Sequence, residues 1–277
     1  MIHRRRWLGF CLSVAVLAGC ATAPAPASRP ADPPASDPVR QSLAPTGTLR
    51  VGVYAGSPSS MVVLLSGERA GMAYQLGQAL AQALAVPAQT QVYPRLAEVI
   101  AALQRGEVDV TFTNASAARA QVMAFTQPLL SLELGYLVPP GSPISRLDQI
   151  DQPGRRIGVS QGSTSQSTLG RLYTQARLVP QPTLAVATQQ LQAGQIDAFA
   201  TNKGILNELA DGLPGARLLE GRWGLEHMAL GMPLGRPDAL AYLNQFAQQV
   251  RADGRLQVWV QQSGLRGTVP TPNGGAD

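Results

Sequence analysis

One arginine stands alone in an otherwise uncharged stretch. Residues 111–128 read TFTNASAARAQVMAFTQP, in which Arg119 is the only charged residue. Ser116 is a natural helix N-cap, and the apolar pattern after Arg119 predicts a helix. A guanidinium forms two parallel hydrogen bonds with a carboxylate, and free N–H groups at a helix start favour an anion. The segment therefore predicts an anion site; the alternative is an ordinary surface arginine.

A second segment has the composition of an anion-binding loop. Residues 155–167 read RRIGVSQGSTSQS, a predicted strand followed by a turn rich in small hydroxyl residues. The backbone N–H groups and hydroxyls of this turn could hold an anionic group. The lysine and the longer spacing of a phosphate-binding P-loop are absent. A Ser/Thr-rich turn that caps the next helix explains the composition equally well.

Alternating strands and helices must position these segments. Residues 48–53 predict a buried strand, residues 72–84 a helix with an apolar stripe, and residues 90–94 a second strand. A further helical stripe ends before Gly106, which suits the residue after a helix end, and residues 108–113 predict a third strand. This alternation favours a parallel sheet with crossover helices.

The sequence also repeats itself. Residues 103–114 (LQRGEVDVTFTN) and 191–202 (LQAGQIDAFATN) share Leu-Gln-x-Gly, an aspartate and a final Thr-Asn. Each unit predicts a helix end, a glycine cap, a strand and a polar loop at the carboxyl end of the strand, where ligands bind in open α/β sheets. The repeat therefore predicts two α/β lobes with Asn114 and Asn202 in corresponding places. The alternative is a coincidence between two helix–glycine–strand turns.

The first 20 residues have the pattern of an export signal. A basic head is followed by an apolar run over residues 7–18, which is short for a membrane-spanning helix and typical of a signal peptide. Residues 17–20 read Leu-Ala-Gly-Cys and resemble a bacterial lipobox. We therefore expect residues 1–19 to be a lipoprotein signal peptide and Cys20 to be lipidated. An ordinary signal peptide with a chance cysteine is the alternative.

Processing would change the charge and the cysteine content. Three arginines and Cys11 lie in residues 1–19, so the net charge falls from +5 to +2 and no disulfide can form within the chain. A near-neutral surface argues against nucleic acid as a partner. Residues 20–46 are rich in Pro, Ala and Ser and predict an extended, disordered tether. Residues 266–277 predict a disordered tail.

In their order and spacing these segments resemble the bacterial extracellular solute-binding proteins of family 3, which serve polar amino acid ABC transporters. The resemblance covers residues 47–265. It is carried by residues 47–53 (GTLRVGV), 102–109 (ALQRGEVD), 116–119 (SAAR), 125–128 (FTQP), 158–163 (GVSQGS), 194–198 (GQIDA), 223–225 (WGL) and 251–254 (RADG).

The resemblance implies an α/β fold of the periplasmic-binding-protein-like type II class, with two lobes joined by a two-stranded hinge. Lobe 1 would comprise residues 47–131 and 228–265, and lobe 2 residues 132–227. A ligand binds in the cleft and the lobes close on it. The implied protein is a monomeric lipoprotein on the periplasmic or extracytoplasmic side, anchored to the membrane through Cys20. It would deliver a small carboxylate-bearing solute to an ABC permease in the inner membrane, without a cofactor, a metal or catalysis.

The resemblance also implies the site. The arginine that clamps the α-carboxylate in the family corresponds to Arg119, and its Thr-x-x-Arg segment to residues 116–119. The lobe 2 loop that completes the carboxylate site corresponds to residues 161–165. The expected ligand-binding residues are Tyr54, Asn114, Ser116, Arg119, Gln161, Gly162, Ser163, Thr164 and Asn202.

The sequence departs from the family at the ammonium site. The family commonly has an aspartate where this chain has Asn202, and Lys203 follows it. The expected solute is an amino acid or a related organic anion, and because an amide lacks the charge that a desolvated ammonium needs, this departure favours an anion without a free ammonium. Lys203 either points into water or contacts the ligand.

Two other functions stay open. A sensory ligand-binding lipoprotein would share every feature described so far. A catalyst of the cyclohexadienyl-dehydratase type would use the same fold, although a Ser-His-Asp triad would need His227, which the resemblance assigns to a hinge strand. We also expect Glu133 and Glu226 to be hinge residues.

Overall fold

Strands and helices alternate along the chain as the sequence predicts. The computed structural model describes residues 32–270. The predicted signal peptide, the lipobox with Cys20, the first part of the tether and residues 271–277 lie outside the described residues. In residues 32–270 no helix is both long enough and apolar enough to cross a membrane.

The element bounds are as follows. The strands are β1 (Leu49–Tyr54), β2 (Val62–Val63), β3 (Arg69–Ala70), β4 (Ala88–Tyr93), β5 (Thr111–Asn114), β6 (Ala124–Phe125), β7 (Leu130–Val138), β8 (Arg156–Ser160), β9 (Arg177–Gln181), β10 (Ala198–Asn202), β11 (Arg217–Leu218), β12 (Gly224–Met232) and β13 (Thr268–Val269). The helices are α1 (Asp37–Leu43), α2 (Met72–Ala83), α3 (Leu96–Gln104), α4 (Ala117–Ala120), α5 (Thr164–Leu172), α6 (Leu184–Gln192), α7 (Lys203–Asp211), α8 (Pro237–Ala252) and α9 (Arg255–Gln262), with a short 3₁₀ helix over Leu147–Gln149.

Two long strands, β7 and β12, connect the two halves of the molecule. The main sheet has the order β5-β12-β7-β10-β8-β9, and β1 pairs with β4 in parallel beside β5. One end of β12 pairs with β5, and the far end of β7 pairs with β10. The antiparallel pair of β7 and β12 lies between these two regions. The fold class expected from the resemblance, two α/β lobes with a two-stranded hinge, is confirmed.

Each lobe has its own hydrophobic core. The lobe 1 core packs α2 and α8 against β1, β5 and the lobe 1 ends of β7 and β12. In lobe 2, separate clusters of buried side chains cover the two faces of the sheet formed by β8, β10 and the far end of β7. Because the two cores are separate, each lobe can keep its packing while β7 and β12 bend between them.

The repeated sequence corresponds to a repeated structure. Asp109 accepts hydrogen bonds from the backbone and the guanidinium of Arg50 on β1, and Asp197 accepts the same set from Arg156 on β8. Burial alone would raise the pKa of Asp197, but the hydrogen bonds from Arg156 hold it below its usual value. Each aspartate thus fixes the start of a lobe's first strand, on the side of the sheet away from the polar loops.

The predicted tether is wrong for residues 32–46. Residues 37–43 form α1, which packs on α8 and buries Leu43 in the lobe 1 core. Asp32 forms an ion pair with the buried guanidinium of Arg255. Composition predicted disorder here because the segment has little apolar surface of its own. The groups that hold it come from residues about two hundred positions further along the chain.

The predicted tail and the predicted helix after Arg119 also need correction. Thr268 and Val269 form β13 and pair with β7, so the predicted disorder is wrong for residues 266–270. Helix α4 ends at Ala120 after a single turn. The apolar residues that suggested a longer helix instead fill a small lobe 1 cluster that contains Met123 and Phe125, and Phe125 pairs with β12.

Candidate ligand-binding site

An enclosed cavity lies between the lobes at the carboxyl ends of the strands. Its volume is about 50 Å³, which exceeds the space that a single water molecule needs. It is lined by Tyr54, Pro94, Arg95, Leu96, Ala97, Thr113, Asn114, Arg119, Ser160, Gln161, Ser163, Gln181, Pro182, Thr183, Leu184, Thr201, Asn202, Ile205, Glu226 and Met228. Both lobes and the hinge strand β12 therefore contribute to its wall.

Arg119 lines this cavity and also borders a more open depression beside it. Its Nη1 donates to Thr113 Oγ1 at 2.8 Å and to the Asn114 carbonyl at 3.3 Å. Within residues 32–270, neither Nη2 nor Nε has a hydrogen-bond acceptor. Burial lowers the pKa of Arg119, while the negative charge of Glu226 opposes that shift. The arrangement leaves one edge of a desolvated guanidinium available to an anionic group.

Glu226 places a carboxylate in the same cavity. The residue is 8% exposed, and its Oε2 accepts a hydrogen bond from Asn202 Nδ2 at 3.0 Å. Burial raises the pKa of Glu226, and the charge of Arg119 and the hydrogen bond from Asn202 counteract this. No direct ion pair joins Glu226 to Arg119 in the part of the chain that the structure describes. A basic and an acidic side chain therefore lie at separate points of one small cavity.

Asn202 donates a hydrogen bond to Glu226, which an aspartate at position 202 could not do without holding a proton. Its Oδ1 accepts the Ile205 N–H at 3.1 Å and caps α7, which leaves Nδ2 to donate to Glu226. An aspartate here would set two carboxylates side by side and force one of them to hold a proton. The acidic group that is missing at Asn202 is thus present at Glu226 on β12, which β7 separates from β10 in the sheet.

Lys203 does not line the cavity, and its partly exposed side chain forms an ion pair with a residue of β7. Its Nζ lies 2.5 Å from Glu133 Oε2, and Arg222 donates to the other oxygen of Glu133 at 3.0 Å. The hydrogen bond from Lys203 holds the pKa of Glu133 below its usual value. The expectation of a ligand without an ammonium assumed that the cleft held no acid. The presence of Glu226 in the cavity shows that this assumption does not hold. The charge of Lys203 is balanced by Glu133 on β7.

The residues predicted to bind ligand divide into two groups. Six of them line the enclosed cavity, namely Tyr54, Asn114, Arg119, Gln161, Ser163 and Asn202. The other three, Ser116, Gly162 and Thr164, line a more open depression on the outer side of Arg119. Ser116 and Ser163 cap α4 and α5 by accepting backbone N–H groups. The capping function considered for both loops is therefore present.

Seven polar residues that line the cavity were not predicted to bind ligand: the hydroxyl residues Thr113, Ser160, Thr183 and Thr201, together with Glu226, Arg95 and Gln181. Glu226 was expected to be a hinge residue, because its position in a strand gives no sign that the strand borders a cleft. Arg95 and Gln181 stand at the carboxyl ends of β4 and β9. The rule that ligands bind at the carboxyl ends of parallel strands, which drew attention to Asn114, could have identified both.

Contacts between the lobes close the cavity. Arg95 Nη1 lies 3.5 Å from the Pro182 carbonyl across the cleft. Gly162 adopts a positive φ of 73°, and a Cβ there would lie 2.7 Å from the Ala97 side chain. A glycine at position 162 thus allows the lobe 2 loop to approach the start of α3 closely.

Comparisons with known proteins agree with this architecture. A family model described as bacterial extracellular solute-binding proteins, family 3, matches residues 49–263. A mutant of ArgBP from T. maritima has a TM-score of 0.74 and 19% identity, and the match covers 82% of this chain and 99% of that one. The ancestral amino acid-binding protein AncCDT-1, a precursor of cyclohexadienyl dehydratase, has a TM-score of 0.71 and 21% identity over 80% and 98% of the two chains.

A curated relative has a different role. The virulence sensor protein BvgS of Bordetella bronchiseptica is 28% identical over 158 residues, which are 57% of this chain and 13% of that protein. The chain therefore spans only a small part of the length of this relative.

Proposed function

The chain belongs to the bacterial extracellular solute-binding proteins, family 3, and from this premise we propose that it captures a small α-amino acid between its lobes and delivers it to an ABC importer. The observation that carries the proposal is the pair of opposite charges in one enclosed cavity. Arg119 would bind the α-carboxylate, and Glu226 the α-ammonium. A zwitterion between them would neutralise both buried charges, so it would fill the cavity more favourably than water does.

Other cavity groups fit the same ligand. The loop over residues 161–163 would cover the ligand from lobe 2, while its backbone N–H groups donate to the Gln181 carbonyl, Gln166 Oε1 and the Ser160 carbonyl. Tyr54, whose hydroxyl lies 3.4 Å from Ser57 Oγ, would cover the ligand from lobe 1. Asn114 is held by a hydrogen bond from the backbone N–H of His227 to its Oδ1, which fixes the end of β5 beside Arg119. Ser116, Gly162 and Thr164 would form the entrance.

We expect Glu226→Gln to weaken the binding of α-amino acids by about tenfold or more, since it removes the charge that faces the ammonium. For the unaltered protein, affinity should fall as the pH falls through the raised pKa of Glu226, because a protonated carboxyl cannot pair with an ammonium. The variant should lose this pH dependence. Isothermal titration calorimetry between pH 5 and 8 measures both effects.

The matched ligand is the 2-keto acid with the same side chain, which has the carboxylate and lacks the ammonium. Its affinity should not fall in Glu226→Gln. Equal losses for the amino acid and the keto acid would show that Glu226 supports the cavity without binding the ammonium. Failure of every α-amino acid to bind the unaltered protein would end the proposal.

Membrane attachment would be through Cys20. The lipobox pattern supports this, and the docking of residues 32–43 on lobe 1 means that the connection to Cys20 would leave from lobe 1. We expect Cys20→Ser to move the protein from the membrane fraction to the soluble fraction of the cell envelope, as followed by immunoblot. A variant that stays in the membrane fraction would contradict lipid anchoring at this position.

The similarity to BvgS favours a second candidate function, sensory ligand binding. The two functions differ in what a deletion does. Loss of an importer component abolishes uptake of the radiolabelled ligand, whereas loss of a sensor leaves uptake intact and changes gene expression in response to the ligand. Turnover on the same fold is tested by mass spectrometry of the ligand recovered from the protein.

A further inference from the structure

We propose that residues 265–269, which follow α9 and include β13, form a strap that holds the two lobes in the closed arrangement and limits the opening of the cleft. The strap is a third link between the lobes, beside β7 and β12. This inference concerns the motion of the lobes, so it does not depend on which solute the cavity binds.

The strap continues one edge of the hinge strand β7. Residues 134–137 of β7 pair with β10 of lobe 2, and residues 131 and 132 pair with β13. Because β12 pairs with residues 130–134 of β7, β10 and β13 must both lie on the opposite edge. Between them the backbone N–H of Glu133 donates to the Gly267 carbonyl at 2.9 Å. We therefore expect β7 to bend close to Glu133, where its partner changes from β13 to β10.

The strap begins in lobe 1 and contacts lobe 2. Leu265 is 5% exposed and belongs to the lobe 1 core, and its backbone N–H donates to the Val260 carbonyl of α9. The next residue, Arg266, forms an ion pair with Asp211 at the end of α7 in lobe 2. Residues 265 and 266 thus connect α9 of one lobe to α7 of the other.

Two glycines allow the strap to approach α7 closely. A Cβ at Gly204 would lie 2.6 Å from Leu265 Cδ1. Gly267 adopts a positive φ of 77°, and a Cβ there would lie 2.5 Å from Lys203 Cβ. Little space therefore separates the strap from the first turn of α7.

This close packing has a consequence for opening. A rotation of lobe 2 about β7 and β12 must displace α7 against the strap, which is tied to lobe 1. The contacts of the strap with α7 are present in the closed arrangement, in which the cavity is enclosed. Removing contacts that one conformation makes and the other cannot keep shifts the population toward the other conformation. Loss of the strap should therefore favour opening.

The experiment measures the distance between the lobes in the ligand-free protein. Spin labels would be attached to Gln104→Cys on α3 of lobe 1 and to Gln189→Cys on α6 of lobe 2, two exposed positions. Cys20 would carry lipid in the processed protein, so the two introduced cysteines would carry the labels. Double electron–electron resonance then gives the distribution of distances between the lobes.

Two truncations test the strap. A chain that ends at Leu265 lacks Arg266 and β13, and we expect its mean distance between the lobes to increase by more than about 2 Å, the size of a domain rearrangement. A chain that ends at Pro270 keeps the strap and is the matched control. Its distribution should equal that of the full-length protein.

A charge reversal tests the contact with α7 in the full-length chain. Arg266→Asp would place two acids together, and we expect it to shift the distribution in the same direction as the truncation. Adding Asp211→Arg restores the opposite charges and should restore the distribution. The side chains of Arg266 and Asp211 are 46% and 63% exposed, so these variants should unfold at the temperature of the unaltered protein. They provide the independent test if the truncated chain does not fold.

The outcomes are distinct from those that test the proposed function, because no ligand is present. A longer distance in the chain that ends at Leu265 and in Arg266→Asp, reversed by Asp211→Arg, is the result we expect. Distances that neither change lengthens would overturn the proposal, as would a shift to shorter distances. An equal shift in the chain that ends at Pro270 would also overturn it, since that chain keeps the strap.

Discussion

Replacing Arg119 with alanine is expected to weaken ligand binding by roughly 30-fold or more. The substitution removes the guanidinium that we propose binds the α-carboxylate, so the bound carboxylate would be buried without its partner. Truncating one member of a buried charge pair costs about 2 kcal/mol or more, which corresponds to about 30-fold in the dissociation constant. It also leaves Glu226 as the remaining buried charge of the cavity wall. Calorimetry with the best α-amino acid ligand gives the ratio directly.

Arg171→Ala is the matched control for this prediction. Arg171 lies on α5 at the outer depression, is exposed and does not line the enclosed cavity. Its loss should change affinity by less than about twofold, in keeping with the small energies of exposed charges. An Arg119→Ala protein that binds within about threefold of the unaltered affinity would show that Arg119 does not hold the ligand.

Replacing Asp109 with alanine is expected to destabilise the protein by about 3 kcal/mol or more, the cost of breaking a buried ion pair. The Asp109 side chain is 2% exposed and that of its partner Arg50 is 17% exposed, so the arginine would keep a largely buried charge without a counterion. The backbone N–H of Arg50 would also lose its acceptor. Urea unfolding should show a lower midpoint with an unchanged slope.

The internal repeat provides the control. Asp197 makes the same set of hydrogen bonds to Arg156, but the two side chains are 22% and 43% exposed. Water can therefore solvate Arg156 after Asp197→Ala, and we expect a loss of about 1 kcal/mol. Equal losses for the two variants would mean that burial does not govern the strength of this bridge. We therefore expect the Asp–Arg ion pair to contribute more to the free energy of unfolding in lobe 1 than in lobe 2.

Local patterns were sufficient to predict most of the fold. Apolar periodicity identified α2, α3 and their neighbouring strands, and the glycines at 106 and 194 ended the helices of both repeats. The pairing of β7 with β12 depends on residues about ninety positions apart, and periodicity carries no information about such a pairing. The hinge was predicted only from the resemblance to the family.

The segment over residues 32–46 shows the limit of composition. Its low content of apolar residues is typical of a disordered tether, and α1 is stable because it packs on the surface of lobe 1. A helix of seven residues is marginal alone and requires tertiary contacts. The sequence of the segment contains no information about Arg255 and α8, which supply these tertiary contacts.

The site was predictable where it follows the ends of strands. Arg119, Asn114 and Asn202 stand in or beside loops that a parallel sheet must bring to one edge. Glu226 lies within β12, and its place in the cavity depends on how two lobes meet around that strand. The sequence therefore indicated a cleft for an anion, whereas Glu226, the acid to which we assign the ammonium, lies on the hinge strand β12.

The position of Glu226 on the hinge strand has a consequence for the time course of release. When two bodies rotate about an axis, points far from the axis separate most. The contact between Arg95 and Pro182 lies across the cleft, whereas Glu226 lies on β12 itself. Opening in the proposed mechanism would therefore separate Arg95 from Pro182 first and the ammonium from Glu226 last. A partial opening would leave the solute bound to Glu226, and only complete opening would release it.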